Sequence, residues 1–86
     1  MPIISRFFGI IITMNYKEHN PPHFHIEYNE FCAIFDMKEE AITAGYIPSK
    51  QLRLVLAWFE LHKEELLENW NNMREQRECI KIKPLS

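Results

Sequence analysis

Hydrophobic positions in the first half of the chain follow a two-residue period, which is typical of β-strands. Residues 3–16 are rich in β-branched and aromatic side chains and predict one strand, in which Gly9 marks a bulge. The apolar positions that share one parity predict the core face of this strand: Ile4, Phe8, Ile10, Ile12 and Met14.

Residues 23–28 and 31–37 predict a hairpin, because Asn29 tolerates the left-handed backbone that a two-residue loop needs. A loop of Asn29 and Glu30 also fixes the register. The apolar face then pairs Phe24 with Phe35, Ile26 with Ala33 and Tyr28 with Phe31. The opposite face pairs His23 with Asp36, His25 with Ile34 and Glu27 with Cys32.

The second half of the chain changes to a helical period. Residues 50–76 contain no helix breaker, and Ser49 after Pro48 predicts an N-cap. A straight helix of that length is long for so small a chain, so we expect a bend or break at residues 62–64. Leu61 is expected on a second covered face of the helix. Shorter strands are predicted at residues 41–47 and 80–83.

Together these elements predict an α+β fold, with a small antiparallel sheet of three to five strands packed against one long or two shorter C-terminal helices. A chain of 86 residues, 47% of them hydrophobic, is expected to form a single domain over residues 1–86. The net charge of −2 gives no bulk attraction to nucleic acid. Neither a signal peptide nor a membrane span is apparent, which favours the cytoplasm. Cys32 and Cys79 lie outside any CxxC motif and are expected to be buried, reduced thiols.

Candidate chemistry is concentrated in residues 19–25, with the sequence HNPPHFH. His23 and His25 are two residues apart on a strand, so both imidazoles point to the same face. Such a pair is able to bind a divalent transition metal such as zinc, with His19 folding back as a further ligand. The predicted metal ligands are therefore His19, His23 and His25.

The same face suits chemistry without a metal. An imidazole oriented by a carboxylate acts as a general acid or base near neutral pH, so His23, His25 and Asp36 are the predicted catalytic residues. RNA cleavage needs little more than such a pair and a cation near the phosphate, which Arg6 or a basic helix residue would supply. Histidines on the solvent side of a hairpin also need no function, and that interpretation stays open.

The helix predicts a further role in binding another protein. Helical residues that are apolar on two faces, such as Trp58 and Phe59, are able to dock a second chain. The acidic positions Glu60, Glu64, Glu65 and Glu68 favour a solvated helix face or a basic partner. The sequence leaves three kinds of partner open: another small protein, RNA, or a second copy of the chain.

Four blocks of the sequence resemble a small bacterial family of unknown function, number 4160. They are PIISRFFGI at 2–10, HNPPHFHIEY at 19–28, LRLVLAW at 52–58 and ELLENW at 65–70. The resemblance covers nearly the whole chain, and the order of the blocks makes it specific. One departure is Asn29-Glu30, where the family leads us to expect a glycine-containing turn.

The resemblance implies a compact protein that is often encoded beside another small protein, an arrangement similar to toxin–antitoxin modules. It implies no established reaction and no proven catalytic residues. We therefore expect a component of a two-gene module with a histidine face that acts on RNA or a phosphoester. The alternatives are a non-catalytic partner-binding or regulatory protein and a metal-binding protein.

Overall fold

The computed structural model describes residues 2–16 and 19–85, which form a five-stranded antiparallel sheet followed by one helix. The strands lie side by side in chain order, so every connection within the sheet joins neighbours. The strands are β1 (Ile3–Phe7), β2 (Ile10–Thr13), β3 (His23–Tyr28), β4 (Phe31–Asp36) and β5 (Ala41–Gly45), and the helix is α1 (Ser49–Arg74). The predicted α+β fold is confirmed.

The prediction of one strand over residues 3–16 is wrong, because the chain turns back at Phe8 and Gly9. Their φ angles are +50° and +79°, and Phe7 pairs directly with Ile10 across the loop. Two positive φ angles in a two-residue loop match the right-handed twist of a hairpin, and glycine adopts them without strain. Gly9 is therefore a turn residue, and Phe8, at 59% exposure, lies outside the core face predicted for it.

The hairpin of β3 and β4 has the predicted register. His23 lies opposite Asp36, His25 opposite Ile34, and Phe24 opposite Phe35. Asn29 has a φ of +53°, the left-handed conformation that its side chain tolerates. The register therefore follows from the loop length and the alternation of the strands.

The long helix bends where the sequence predicts. His62 has a non-helical backbone (φ −126°, ψ 19°), so α1 consists of two helical segments joined there. The N-cap prediction was one residue off, because Pro48 occupies the cap and Ser49 is the first helical residue. Leu61 is 69% exposed, which contradicts its expected place on a covered face.

The helix packs on one face of the sheet through aromatic side chains. Phe24 of β3 lies 5.8 Å from Trp58 and 6.3 Å from Phe59, and Phe35 of β4 lies 5.1 Å from Phe59 (ring centroids). Because side chains alternate along a strand, the residues between these aromatics point to the other face. That side of β3 carries His23 and His25, and at the start of the strand the ring of His23 also contacts Trp70 of α1.

The C-terminal residues 80–83 do not form the predicted strand. They are held against the core by single hydrogen bonds: Ile82 N donates to Ile4 O at 2.9 Å, and Trp58 Nε1 donates to Lys83 O at 2.9 Å. Buried Asn69 donates to Ile80 O and accepts from Ile80 N. Hydrogen bonds from two side chains and one backbone N–H thus take the place of regular strand pairing at residues 80–83. Over residues 2–16 and 19–85, no helix is both long and apolar enough to cross a membrane.

Candidate functional site

His23 and His25 are alternate residues of β3 on the opposite side of the strand from Phe24, and the ring of His23, at the start of the strand, also contacts Trp70 of α1. Phe24 and Ile26, which alternate with them, are fully buried against α1. The two imidazole centroids are 5.5 Å apart with an interplanar angle of 69°, and both residues are half-buried. This spacing is short enough for both rings to contact one phosphate group or one metal ion.

The surroundings of His23 define its tautomer. Nδ1 lies 2.9 Å from the carbonyl oxygen of Pro21, and a carbonyl oxygen only accepts hydrogen bonds. Nδ1 therefore carries the hydrogen, and in the neutral ring the lone pair is at Nε2. A lone pair at Nε2 is what a general base or a metal ligand requires.

Trp70 of α1 contacts the histidine stretch at two residues, Asn20 and His23. Its ring centroid lies 5.0 Å from that of His23, and its Nε1 donates to Asn20 Oδ1 at 3.3 Å. The helical period places Trp70 in the core, as observed, but no sequence pattern indicates that it contacts the histidine stretch. Trp70 is far from the start of β3 and from the turn before it in the sequence, so only the folded structure brings them together.

His25 has two neighbours that the sequence did not single out. Its Nε2 lies 3.4 Å from Asn15 Nδ2, and its register partner on β2 is Thr13. Thr13 is 3% exposed and its Oγ1 is buried without a hydrogen-bond partner. Asn15 and Thr13 lie beside His25 because β2 pairs with β3. The sequence pattern does not show this pairing when residues 3–16 are taken as one strand.

Asp36 faces His23 across the hairpin as predicted, and it is 7% exposed. Its Oδ1 accepts hydrogen bonds from the backbone N–H groups of Lys38 at 2.8 Å and Glu39 at 3.0 Å. The carboxylate thus closes the turn after β4. Its role in orienting the His23 ring stays a prediction.

The metal site of His19, His23 and His25 also stays a prediction. His19 is exposed at the start of the turn that leads into β3. In the described part of the chain, no group of three His, Cys, Asp or Glu side chains is arranged to hold a metal ion. The two strand histidines alone would supply two of the four ligands that zinc usually takes.

The open face continues beside the histidines as a shallow depression of about 340 Å³. His25, Glu27, Cys32, Ile34 and Ala44 contribute to its lining. Cys32 is exposed here, so its expected burial is wrong, because its strand position points away from the helix. Cys79 is only partly buried.

A second groove, of about 480 Å³, lies next to the turn that carries His23. Its lining includes Pro21, Pro22 and Asp36, together with Lys38. Lys38 is exposed and follows closely after the register partner of His23. Glu39 lines the same groove and neither histidine does, so Lys38 lies beside the turn before β3 and next to an acidic side chain. The cation near the phosphate, expected from Arg6 or from the helix, stays a prediction.

A family model described as "Domain of unknown function (DUF4160)" matches residues 9–71. The matched region contains every residue of the histidine stretch, together with Asp36 and Trp70. Searches of curated proteins and of solved structures gave no match.

Proposed function

The chain belongs to the domain-of-unknown-function family DUF4160, and we propose that it is the component of a toxin–antitoxin-like two-gene module that cleaves RNA through His23 and His25. The module follows from the family resemblance, and the cleavage from the geometry of the histidine pair. One observation supports this proposal most strongly. Two half-buried imidazoles lie 5.5 Å apart, with His25 beside an open depression of the sheet and His23 in contact with Trp70 of the helix. The proposed substrate places the protein in the cytoplasm.

The proposed reaction uses one histidine as a base and the other as an acid. His23 Nε2 takes the proton from a ribose 2′-hydroxyl, whose oxygen then attacks the adjacent phosphorus. The bond from phosphorus to the 5′-oxygen breaks, and protonated His25 donates its proton to that oxygen. The products are a 2′,3′-cyclic phosphate and a 5′-hydroxyl, so no water or metal ion takes part in the step.

Charge on the phosphate would be balanced by nearby cations. Lys38 lines the groove next to Pro22 and Asp36, and Arg6 is exposed on the open face, separated from Glu27 of β3 by Ile11 of β2. The depression beside His25 is open to solvent, which suits a single-stranded substrate. We expect Lys38 to contribute more than Arg6, because it follows the register partner of His23.

The outer face of α1 is the proposed docking surface for the partner protein of the module. Leu61 is 69% exposed and Leu67 is 39% exposed. Glu64 and Glu68 lie four residues apart in the helical segment after the bend, next to Leu67, and Glu60 adjoins Leu61 before the bend. Exposed leucines among acidic side chains favour a basic partner with apolar side chains.

Growth of a bacterial host on tightly induced expression tests the role in the module. Wild type is expected to stop growth, and the double variant His23→Ala/His25→Ala is expected to leave growth unchanged while remaining folded and soluble. His62→Ala is the matched control, because His62 lies on the helix and its Nδ1 contacts Glu65 Oε1 at 2.7 Å, away from the site. Equal growth with wild type and the double variant contradicts the proposed activity.

The non-catalytic alternative makes the opposite prediction for the same set of proteins. A pure binding protein tolerates both histidine substitutions but loses partner binding when Leu61 and Leu67 are replaced by serine. A metal-binding protein copurifies with near-stoichiometric metal, and His19→Ala, His23→Ala or His25→Ala lowers that amount. The RNA-cleaving site proposed above is indifferent to His19→Ala.

A further inference from the structure

We infer that Trp70 is a positioning residue for His23, so that the helical segment after the bend at His62 forms part of the site. The inference deepens the proposed function and rests on it for any effect on catalysis. Its structural consequence, the tautomer of the His23 ring, is measurable without a substrate.

Trp70 reaches the histidine stretch through two different contacts. Its ring packs on the ring of His23 with centroids 5.0 Å apart and planes inclined by 54°. Its Nε1–H donates to the side-chain oxygen of Asn20 at 3.3 Å. Trp70 is 2% exposed, so its indole N–H lies in a water-poor environment where loss of its partner is unfavourable, although Asn20 itself is exposed.

These two contacts hold the turn that carries the Pro21 carbonyl oxygen and the ring of His23 that donates to it. Asn20 precedes Pro21, whose carbonyl oxygen accepts the hydrogen bond from His23 Nδ1 at 2.9 Å. The indole N–H therefore holds the turn that supplies the acceptor, while the indole ring holds the imidazole against it. Loss of either contact would let the ring turn and exchange the hydrogen between Nδ1 and Nε2. With hydrogen on Nε2, the nitrogen proposed as the base has no lone pair.

Two substitutions separate this role from ordinary packing. Trp70→Phe keeps an aromatic ring but removes the indole N–H. Asn20→Ala removes the side-chain oxygen that accepts from this N–H and leaves the core residues unchanged. Trp58→Phe is the matched control: Trp58 is equally buried and its Nε1 also donates one hydrogen bond, but to Lys83 O at the C-terminal segment. Backbone amide spectra of all three variants show whether the native fold is retained.

The measurement is the tautomer of His23, read from the ¹⁵N shifts of its ring nitrogens, with His23→Ala identifying the signals. Wild type is expected to show hydrogen on Nδ1. Trp70→Phe and Asn20→Ala are expected to raise the fraction with hydrogen on Nε2, whereas Trp58→Phe leaves it unchanged. Where RNA cleavage is present, kcat falls by about tenfold in the first two variants with KM unchanged.

An unchanged His23 tautomer in folded Asn20→Ala and Trp70→Phe overturns the inference, and Trp70 is then a core residue only. A change of equal size in Trp58→Phe overturns it as well, because general loosening of the core would explain it. A tautomer change in Trp70→Phe and Asn20→Ala, in a protein whose wild type cleaves no RNA, supports the positioning role and overturns only the proposed function.

Discussion

Gly45 ends strand β5 with a φ of +79°, a backbone conformation that L-amino acids with a Cβ rarely adopt. It also packs directly on the neighbouring strand. A Cβ at this position would collide with Cys32 O and would lie 2.8 Å from Ala33 Cα. Both atoms belong to the backbone of β4, so neither is able to move without breaking the pairing of the two strands.

Gly45→Ala is therefore expected to lower the free energy of unfolding by more than about 2 kcal/mol, because strain and collision add. Gly9→Ala is the matched control. Gly9 has the same φ of +79°, but its Cβ would meet the Tyr28 ring at ordinary contact distance, 3.4 Å from Cε1 and 3.7 Å from Cδ1. It should lose about 1 kcal/mol through strain alone. Chemical denaturation measures both values, and equal losses would contradict the importance of the close approach.

Single residues show where sequence reasoning succeeds and where it stops. Asn29 was recognised as a left-handed turn residue because its side chain tolerates that conformation. Phe8 was not, because an exposed phenylalanine with a φ of +50° contradicts every local preference of that residue. Its parity fitted a buried strand position, so the pattern gave no warning that Gly9 belonged to a turn.

At the scale of the elements, Asn69 connects the helix to the C-terminal segment. It is fully buried, and its amide satisfies both backbone groups of Ile80: Oδ1 accepts from the N–H at 2.7 Å and Nδ2 donates to the carbonyl oxygen. The side chain thus performs the task of a neighbouring strand for one residue.

Asn69→Ala is expected to lower the free energy of unfolding by about 1 to 3 kcal/mol, because the two hydrogen bonds from a buried side chain to Ile80 are lost. Hydrogen exchange at the Ile82 amide, which donates to Ile4 O at 2.9 Å, should accelerate as the segment detaches. Asn71→Ala, at an exposed position on the same helix, serves as the control. Unchanged exchange at Ile82 in Asn69→Ala would show that the segment is held by other contacts.

Lys63 links the helix to the turn between β4 and β5. Its Nζ donates to Glu40 Oε2 at 2.9 Å and lies 3.6 Å from Glu60 Oε1. The hydrogen bond to Glu40 raises the pKa of Lys63 above its ordinary 10.5. A raised pKa in the folded state means that the contribution to stability is complete below pH 10.5 and disappears as the pH rises through the folded pKa.

Lys63→Met is therefore expected to lower Tm slightly at pH 7, because the contact is exposed to solvent and screened. The difference from wild type should shrink as the pH rises above 10.5, and it should also shrink in high salt. Thermal unfolding followed by circular dichroism checks both trends. A difference that persists at high salt and alkaline pH would show that the effect does not come from the charge of Lys63.

Elements with a clear period were predictable, and connections set by distant contacts were not. The β3–β4 register and the bend at His62 followed from turn chemistry and helix length. Residues 80–83 have the alternation of a strand, yet their partners are the side chains of Asn69 and Trp58 and one backbone group of β1. No local pattern records such partners, because they lie more than ten residues away in the chain.

For the whole molecule, the arrangement of one helical layer on one face of a sheet explains why the site is accessible. Aromatic contacts to α1 bury Phe24 and Phe35, and the alternation of β3 then places His23 and His25 on the opposite face. The sequence alone was sufficient to predict that the two histidines share this face. The support from Trp70, Asn20 and Asn15 was not predictable, because it depends on how the helix and β2 approach β3.

The proposed metal-free cleavage of RNA by the histidine pair is tested most directly with a short RNA, purified protein and excess chelator. The predicted result is fragments ending in a 2′,3′-cyclic phosphate and a 5′-hydroxyl. The rate should be lower by about 100-fold or more in His23→Ala and in His25→Ala, and a substrate with 2′-deoxyribose at the cleaved position should remain intact. Absence of cleavage by folded wild type, or equal cleavage by both histidine variants, would contradict the account.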